Sequence, residues 1–179
     1  MKKEIEVKIL EIDVAAVIAR VKELGGAVRF DGDLDATYYD HLLLGVRGRG
    51  ETLRVRLEGD TTVLTFKGAV DRSSGVKEAT EIETRVTDAH ALRAILAALG
   101  FTQLRHRRKH RVEYALGAAH IAIDTYTGEV AFVPPFLEIE AASAAEVHRI
   151  AALLGFPPEA CRPWSGRDVE KHYRKISGK

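Results

Sequence analysis

Apolar and polar residues alternate along much of this chain with the period of a β-strand. In EIEVK, residues 4–8, Ile5 and Val7 take one face and Glu4, Glu6 and Lys8 the other, because successive strand residues point to opposite sides. TLRVRLEG at 52–59, TVLTFKG at 62–68, RKHRVEYAL at 108–116 and HIAIDTY at 120–126 repeat that pattern, and ATYYDH at 36–41 and VAFV at 130–133 also read as strands. EIE recurs at 81–83 and 138–140, and each of its three occurrences leads into helical spacing. The apolar positions there are Val17, Val21 and Leu24; Leu92, Ile95, Leu96 and Leu99; and Val147, Ile150, Leu153 and Leu154. Asp13, Asp88 and Ser143 are placed as N-caps, with Glu146 completing a capping box, and Gly25, Gly100 and Gly155 are placed as left-handed stops.

Three further stretches belong neither to these strands nor to these helices. GVRGRGE at 45–51 predicts a hairpin loop, with Arg47 and Arg49 at an entrance, and GAVDRSSGVK at 68–77 a second basic loop. FPPEACRPWSGRDVEKHYRKISGK predicts a Pro-interrupted link and a short charged helix, with Trp164 as its packing anchor or beside a tunnel mouth.

The polar faces are rich in ionisable groups of both signs. Arg54 and Arg56 share a face, as do Thr65 with Lys67, Arg107 with Lys109, Arg111 and Glu113, and Ala122 with Asp124. Glu81 with Glu83 and Glu138 with Glu140 place like charges side by side, which destabilises a strand that has no cation opposite. Amphipathic helices need an apolar sheet face to cover, so the Ile/Val/Leu face must lie under them and the charged face turn away. That arrangement predicts an α+β fold: antiparallel strands closed into a barrel, helices packed outside, Glu, Lys and Arg within.

Composition narrows the alternatives. At 179 residues and 46% hydrophobic, the chain is expected to form a single domain over 1–179. The 27 Lys plus Arg against 26 Asp plus Glu leave a net charge of +1, so bulk charge favours neither nucleic acid nor an anionic membrane. RHRRKHR at 105–111 has no stacking aromatic and reads as alternating lumen and surface positions, not as a nucleic-acid patch. One cysteine, Cys161, excludes an internal disulfide and fits a reducing compartment, and no apolar run approaches a membrane span. The expected location is the cytoplasm. An apolar helix face left over from barrel packing would support a homodimer.

Carboxylate oxygens are the hard ligands that Mg2+ or Mn2+ prefers, and Lys and Arg match phosphate oxygens. A lumen with both suits a metal-bound polyphosphate. Here EIEVK resembles the Glu-x-Glu-x-Lys signature of the CYTH family, the triphosphate tunnel metalloenzymes, which include class IV adenylyl cyclases, thiamine triphosphatases and inorganic triphosphatases. YYD at 38–40, LRVR at 53–56, LTFKG at 64–68, EIE at 81–83, KHR at 109–111, AID at 122–124 and FLEIE at 136–140 continue the resemblance in order.

The resemblance implies a closed eight-stranded antiparallel tunnel and divalent-metal catalysis with Mg2+ or Mn2+. By position, Glu4, Glu6, Glu138 and Glu140 would hold metal, with Asp124 and Glu83 as further ligands. Lys8, Arg54, Arg56, Lys67, Lys109 and Arg111 would hold the triphosphate, and Glu4, Glu6 and Lys8 carry the chemistry. The substrate would be ATP, tripolyphosphate or thiamine triphosphate, and the overall pattern leans towards the class IV adenylyl cyclase-like chains. A triphosphatase is the alternative, and a non-catalytic module binding polyphosphate or nucleotide is a further one. Two departures bear on specificity. Ala79 stands where the family often has Arg, with Lys77 nearby as a substitute, and VAFVPP replaces a glycine-rich turn.

Overall fold

A computed structural model describes residues 2–43 and 45–178; Met1, Leu44 and Lys179, within the expected 1–179 extent, lie outside the described residues. The elements are β1 (Lys2–Ile9), α1 (Val14–Glu23), β2 (Ala27–His41), α2 (Gly45–Gly48), β3 (Thr52–Glu58), β4 (Thr61–Lys67), β5 (Lys77–Val86), α3 (Ala89–Ala98), β6 (Phe101–Leu116), β7 (Ala119–Thr127), β8 (Phe136–Glu140), α4 (Ala144–Leu153) and α5 (Gly166–Ile176). The strands close into an antiparallel barrel in the order β1-β5-β4-β3-β2-β6-β7-β8. Closure leaves no free edge, which solves the pairing problem of so many strands.

Register carries the period-two pattern around the wall. Glu6 pairs with Lys77 on one side and Glu140 on the other, Lys8 with Glu138, Lys67 with Glu81, Arg54 with Thr65 and Tyr38, and Arg111 with Asp124. Directly paired residues share a face, so the charged faces predicted separately for each strand all point into one lumen. The opposite face packs Ile5, Val7, Ile9, Ile121, Ile123, Leu137 and Ile139 under Val17 and Val21 of α1 and Val147 and Ile150 of α4. Fully burying each such side chain contributes about 1.5–3 kcal/mol. Leu96 of α3 covers a smaller cluster with Tyr39 and Val55. Leu57 and Ile82, on the outer faces of β3 and β5, remain 42% and 49% exposed.

Caps behave largely as the sequence predicts. Asp13 accepts a hydrogen bond from Ala16 N, Asp88 from Ala91 N and Ser143 from Glu146 N. The capping box expected at Ser143 is not completed: the Glu146 carboxylate takes the Arg149 guanidinium instead, at 2.7 and 2.8 Å. After α1 the chain needs both glycines. Gly25 sits at φ +85°, and a Cβ on Gly26 would come within 2.9 Å of the Val21 carbonyl oxygen.

Three predicted elements differ. VAFV is not a strand: a 3-10 turn at Gly128–Val130 and a bend precede Pro134 and Pro135, whose missing N–H groups cannot serve a ladder. GVRGRGE holds a one-turn helix, not a hairpin, because Asp40 accepts from Val46 N and Arg47 N at 2.9 and 3.0 Å. β2 and β6 begin earlier than ATYYDH and RKHRVEYAL, pairing from Ala27↔Ala115 to His41↔Phe101.

Candidate active site in the barrel lumen

On one side of the lumen β1, β5 and β8 bring carboxylates together. Lys77 is buried and donates to Glu4 Oε2 at 2.6 Å and Glu6 Oε1 at 2.9 Å. Lys67 also pairs with Glu4, while Lys8 bridges Glu6 at 2.6 Å and Glu138 at 2.8 Å. Burial alone would raise the Glu4 carboxyl, but Lys67 and Lys77 outweigh it and hold it at about 2. Burial likewise works against the Lys8 ammonium and the Glu138 carboxylate. Glu138 and Glu6 nevertheless push Lys8 above its ordinary value, and Arg111, Lys8 and Lys109 hold Glu138 well below its own. Among the described residues Glu4, Glu6 and Glu140 offer carboxylate oxygens within 4.8 Å of one another. Their hard oxygen donors fit a divalent cation of the Mg2+ or Mn2+ type.

The opposite side is cationic. Arg111 grips the buried Asp124 in a fork at 2.7 and 2.8 Å and reaches Glu138 at 3.0 Å, while Lys109 meets Asp124 at 2.5 Å. Burial raises Asp124, and Arg111 and Lys109 outweigh it to leave the carboxyl below its usual range. Burial and then Arg111 repulsion lower Lys109 to about 8, against the pull of Asp124 and Glu138. Arg54 donates to Thr65 Oγ1 at 3.2 Å, and Thr65 to Glu83 at 3.0 Å; Arg56 pairs with Glu58. Yet the buried Nε atoms of Arg54, Arg56 and Arg105 have no hydrogen-bond partner among the described residues. Tyr38 stands amid these cations with Arg105 stacked 4.0 Å over its ring. Burial raises its phenol, but Arg54, Arg105, Lys109 and Lys67 together bring it below its ordinary value.

The sequence-predicted residues thus fall into three groups. Glu4, Glu6 and Glu140 converge, with Lys8, Lys67 and Glu138 around them. Asp124 is occupied by Lys109 and Arg111, and Glu83 sits exposed beside Thr65, apart from the trio. Arg54 and Arg56 line the cationic side. Lys77, read from the sequence only as a substitute for the arginine missing at Ala79, takes part in the carboxylate cluster. Sequence reasoning gave no site role to Tyr38, Arg105 or Arg107. All three follow from the parity rule, since Tyr38 pairs with Arg105 and Ala36 with Arg107. Nor did it foresee Glu170 of α5, which holds Arg107 in a fork at 2.8 and 3.0 Å; no local pattern announces that contact. Cys161 is buried and its thiol is pushed up by burial and Glu159, which suits an inert residue. Trp164 packs with Val133, Phe136, Val169 and Tyr173, and so anchors α5. Among the described residues no helix is long and apolar enough to cross a membrane.

The family model described as the CYTH domain matches residues 2–155. A protein of Methanocaldococcus jannaschii described as a "putative adenylate cyclase" is 30% identical over 141 residues, covering 76% of this chain and 75% of its own. A Vibrio parahaemolyticus structure with the same description has a TM-score of 0.81 at 16% identity, over 95% of this chain and 98% of that one. A Hippeastrum structure described as a "putative adenylyl cyclase" that reveals a dominant triphosphatase activity has a TM-score of 0.66 at 16% identity, over 100% of this chain and 97% of that one.

Proposed function

Because this chain belongs to the CYTH domain family, we propose that its lumen binds a linear triphosphate with a divalent cation, Mg2+ or Mn2+, and hydrolyses the terminal phosphoanhydride. The observation that carries this reading is one lumen that holds both the converging Glu4, Glu6 and Glu140 carboxylates and arginines whose buried Nε atoms lack partners among the described residues. Glu4, Glu6 and Glu140 would hold the cation, which supplies charge neutralisation and activates the attacking oxygen. Glu138 and Asp124 act instead as partners that orient Lys8, Lys109 and Arg111. Arg54, Arg56, Lys67, Lys109 and Arg111 donate to phosphate oxygens, the arginines as forks and the lysines as point charges. With tripolyphosphate, a water oxygen bonds to the terminal phosphorus while the bridging P–O bond breaks; the electron pair leaves with pyrophosphate, and the water's protons pass to the orthophosphate oxygens and from there to solvent. Cations fixed in a closed barrel stabilise that leaving charge without having to reorganise.

Cyclisation of ATP is the second reading, and the descriptions of the Methanocaldococcus and Vibrio relatives favour it. Hydrolysis comes first because the lumen is lined with charge, and one face of the Tyr38 ring is already covered by the Arg105 guanidinium. Thiamine triphosphate is a further substrate to test. Incubation with Mg2+ or Mn2+ and tripolyphosphate, ATP or thiamine triphosphate, followed by product separation, decides among them. Orthophosphate from tripolyphosphate is expected. Cyclic AMP and pyrophosphate from ATP, with tripolyphosphate untouched, would establish the cyclase. Tight binding with no turnover of any of them would make the chain a binding module.

A further inference from the structure

We propose that Arg47, Arg105 and Arg167 form a second anion-binding subsite at one mouth of the tunnel, taking the phosphate groups beyond the third of a linear inorganic polyphosphate. The proposal rests on the triphosphate reading of the lumen and names its substrate more closely.

Three separate elements converge on this mouth. Arg105 of β6 pairs across the sheet with Tyr38 near the end of β2, stacks on its ring, and has a buried Nε without a partner among the described residues. Two residues further along β2, Asp40 fixes α2 through the backbone N–H groups of Val46 and Arg47, which places Arg47 on the same rim. Helix α5 arrives from the other side. Glu170 locks it to Arg107, and Arg72 ties it to Asp168 at 2.9 Å and to the Pro163 carbonyl at 2.8 Å. Arg167 lies three residues before Glu170 and so on the same helix face. Its guanidinium feels burial first and then Arg47 and Arg105, which lower it against Asp168 and Glu170.

None of the three has a carboxylate within ion-pair distance among the described residues, although neighbouring Arg107 and Arg72 do. Clustered guanidinium groups repel, and here an external anion is what would balance them. Along β6 the inward cations Arg111, Lys109, Arg107 and Arg105 span about 20 Å at the rise of a strand, and a chain of three phosphates covers only part of that length. A nucleoside would lay uncharged sugar and base among the arginines and leave them unpaired, whereas more phosphate would pair them. Arg167 also lies beyond the matched 2–155 region, so this mouth is partly built by the C-terminal helix.

The test is calorimetric binding, without added divalent ions, of tripolyphosphate, ATP and a defined longer linear polyphosphate. It compares the full chain with the double variant Arg47→Ala, Arg167→Ala, two exposed positions outside the core. The longer chain is expected to bind the unmodified protein on the order of tenfold tighter than tripolyphosphate. The double variant should lose that gain and keep its affinity for tripolyphosphate and ATP. Equal affinity for the two inorganic ligands, the same weakening for both in the variant, or a loss confined to ATP would each overturn the subsite. Failure of tripolyphosphate itself to bind would instead overturn the tunnel reading on which the subsite rests.

Discussion

Along β1 and β8, Glu4, Glu6 and Glu138 each hold at least one lysine, whereas along β3 and β6 Arg54, Arg56 and Arg105 each carry a buried Nε with no partner among the described residues. The first side balances its charge within the fold. The second leaves donors for something that is not protein. Breaking a buried pair strands a charge in a poor solvent, while removing Arg54, which holds a hydroxyl and no carboxylate among the described residues, strands no charge. Stability is therefore expected to reside in the carboxylate side and affinity in the guanidinium side.

Lys77→Met attacks the carboxylate side most directly. It leaves Glu4 and Glu6 side by side with one cation fewer, and should cost about 3–5 kcal/mol in denaturant unfolding. A loss below about 1 kcal/mol would show that the cluster relaxes or hydrates freely. Glu6→Gln keeps a partner for each neighbour, since Lys8 retains Glu138 and Lys77 retains Glu4. The fold should survive while turnover of tripolyphosphate falls by about two to three orders of magnitude; undiminished activity would move the reaction away from this trio. On the other side, Arg54→Ala should weaken tripolyphosphate binding by about 1.5–3 kcal/mol and shift stability by under about 1 kcal/mol. A larger stability loss than binding loss would erase the contrast between the two sides.

How much of this contrast could be read in the sequence depends on the range of the interaction. The period of two assigned Glu4, Glu6, Arg54, Arg56, Lys109 and Arg111 to inward faces, because alternation is local and the helices fix which face is buried. Closure and the positions of the strands' apolar faces followed from the same argument. Pairing did not, since Lys77 meets Glu4 and Glu6 only once β5 lies beside β1 in one register. The first half of β2, AVRFDGDLD, carries a glycine and three aspartates that weaken any strand signal. It forms because β6 lies along it and sets His106, Arg108 and His110 against those aspartates on the outer face. VAFV shows the opposite error, with strand-like residues and no possible ladder beyond them. The Glu170 to Arg107 contact joins residues far apart in the chain, and only the docking of α5 reveals it.

The smallest expected effect is a proton count, and it separates the two sides by pH. Glu4, held at about 2, stays charged at any working pH; it contributes stability above the ordinary carboxyl range that is lost as pH falls towards 2. Lys109 lies at about 8, below its ordinary 10.5. The unfolded chain therefore binds more protons between those values, and through this group stability rises with pH across that window. Ligand binding runs the other way. A phosphate anion favours the charged ammonium and raises its pKa, so above pH 8 binding must take up protons, and the contribution of Lys109 to affinity fades as pH rises through 8. At pH 8.5 tripolyphosphate should draw protons in at this site, read as the dependence of calorimetric enthalpy on buffer ionisation enthalpy. Lys109→Arg, whose guanidinium stays charged, should lack this uptake while the ligand's own protonation is unchanged. The same proton count in both proteins would mean that Lys109 does not meet the anion, and the cationic side would have to be redrawn around Arg54, Arg56 and Arg105.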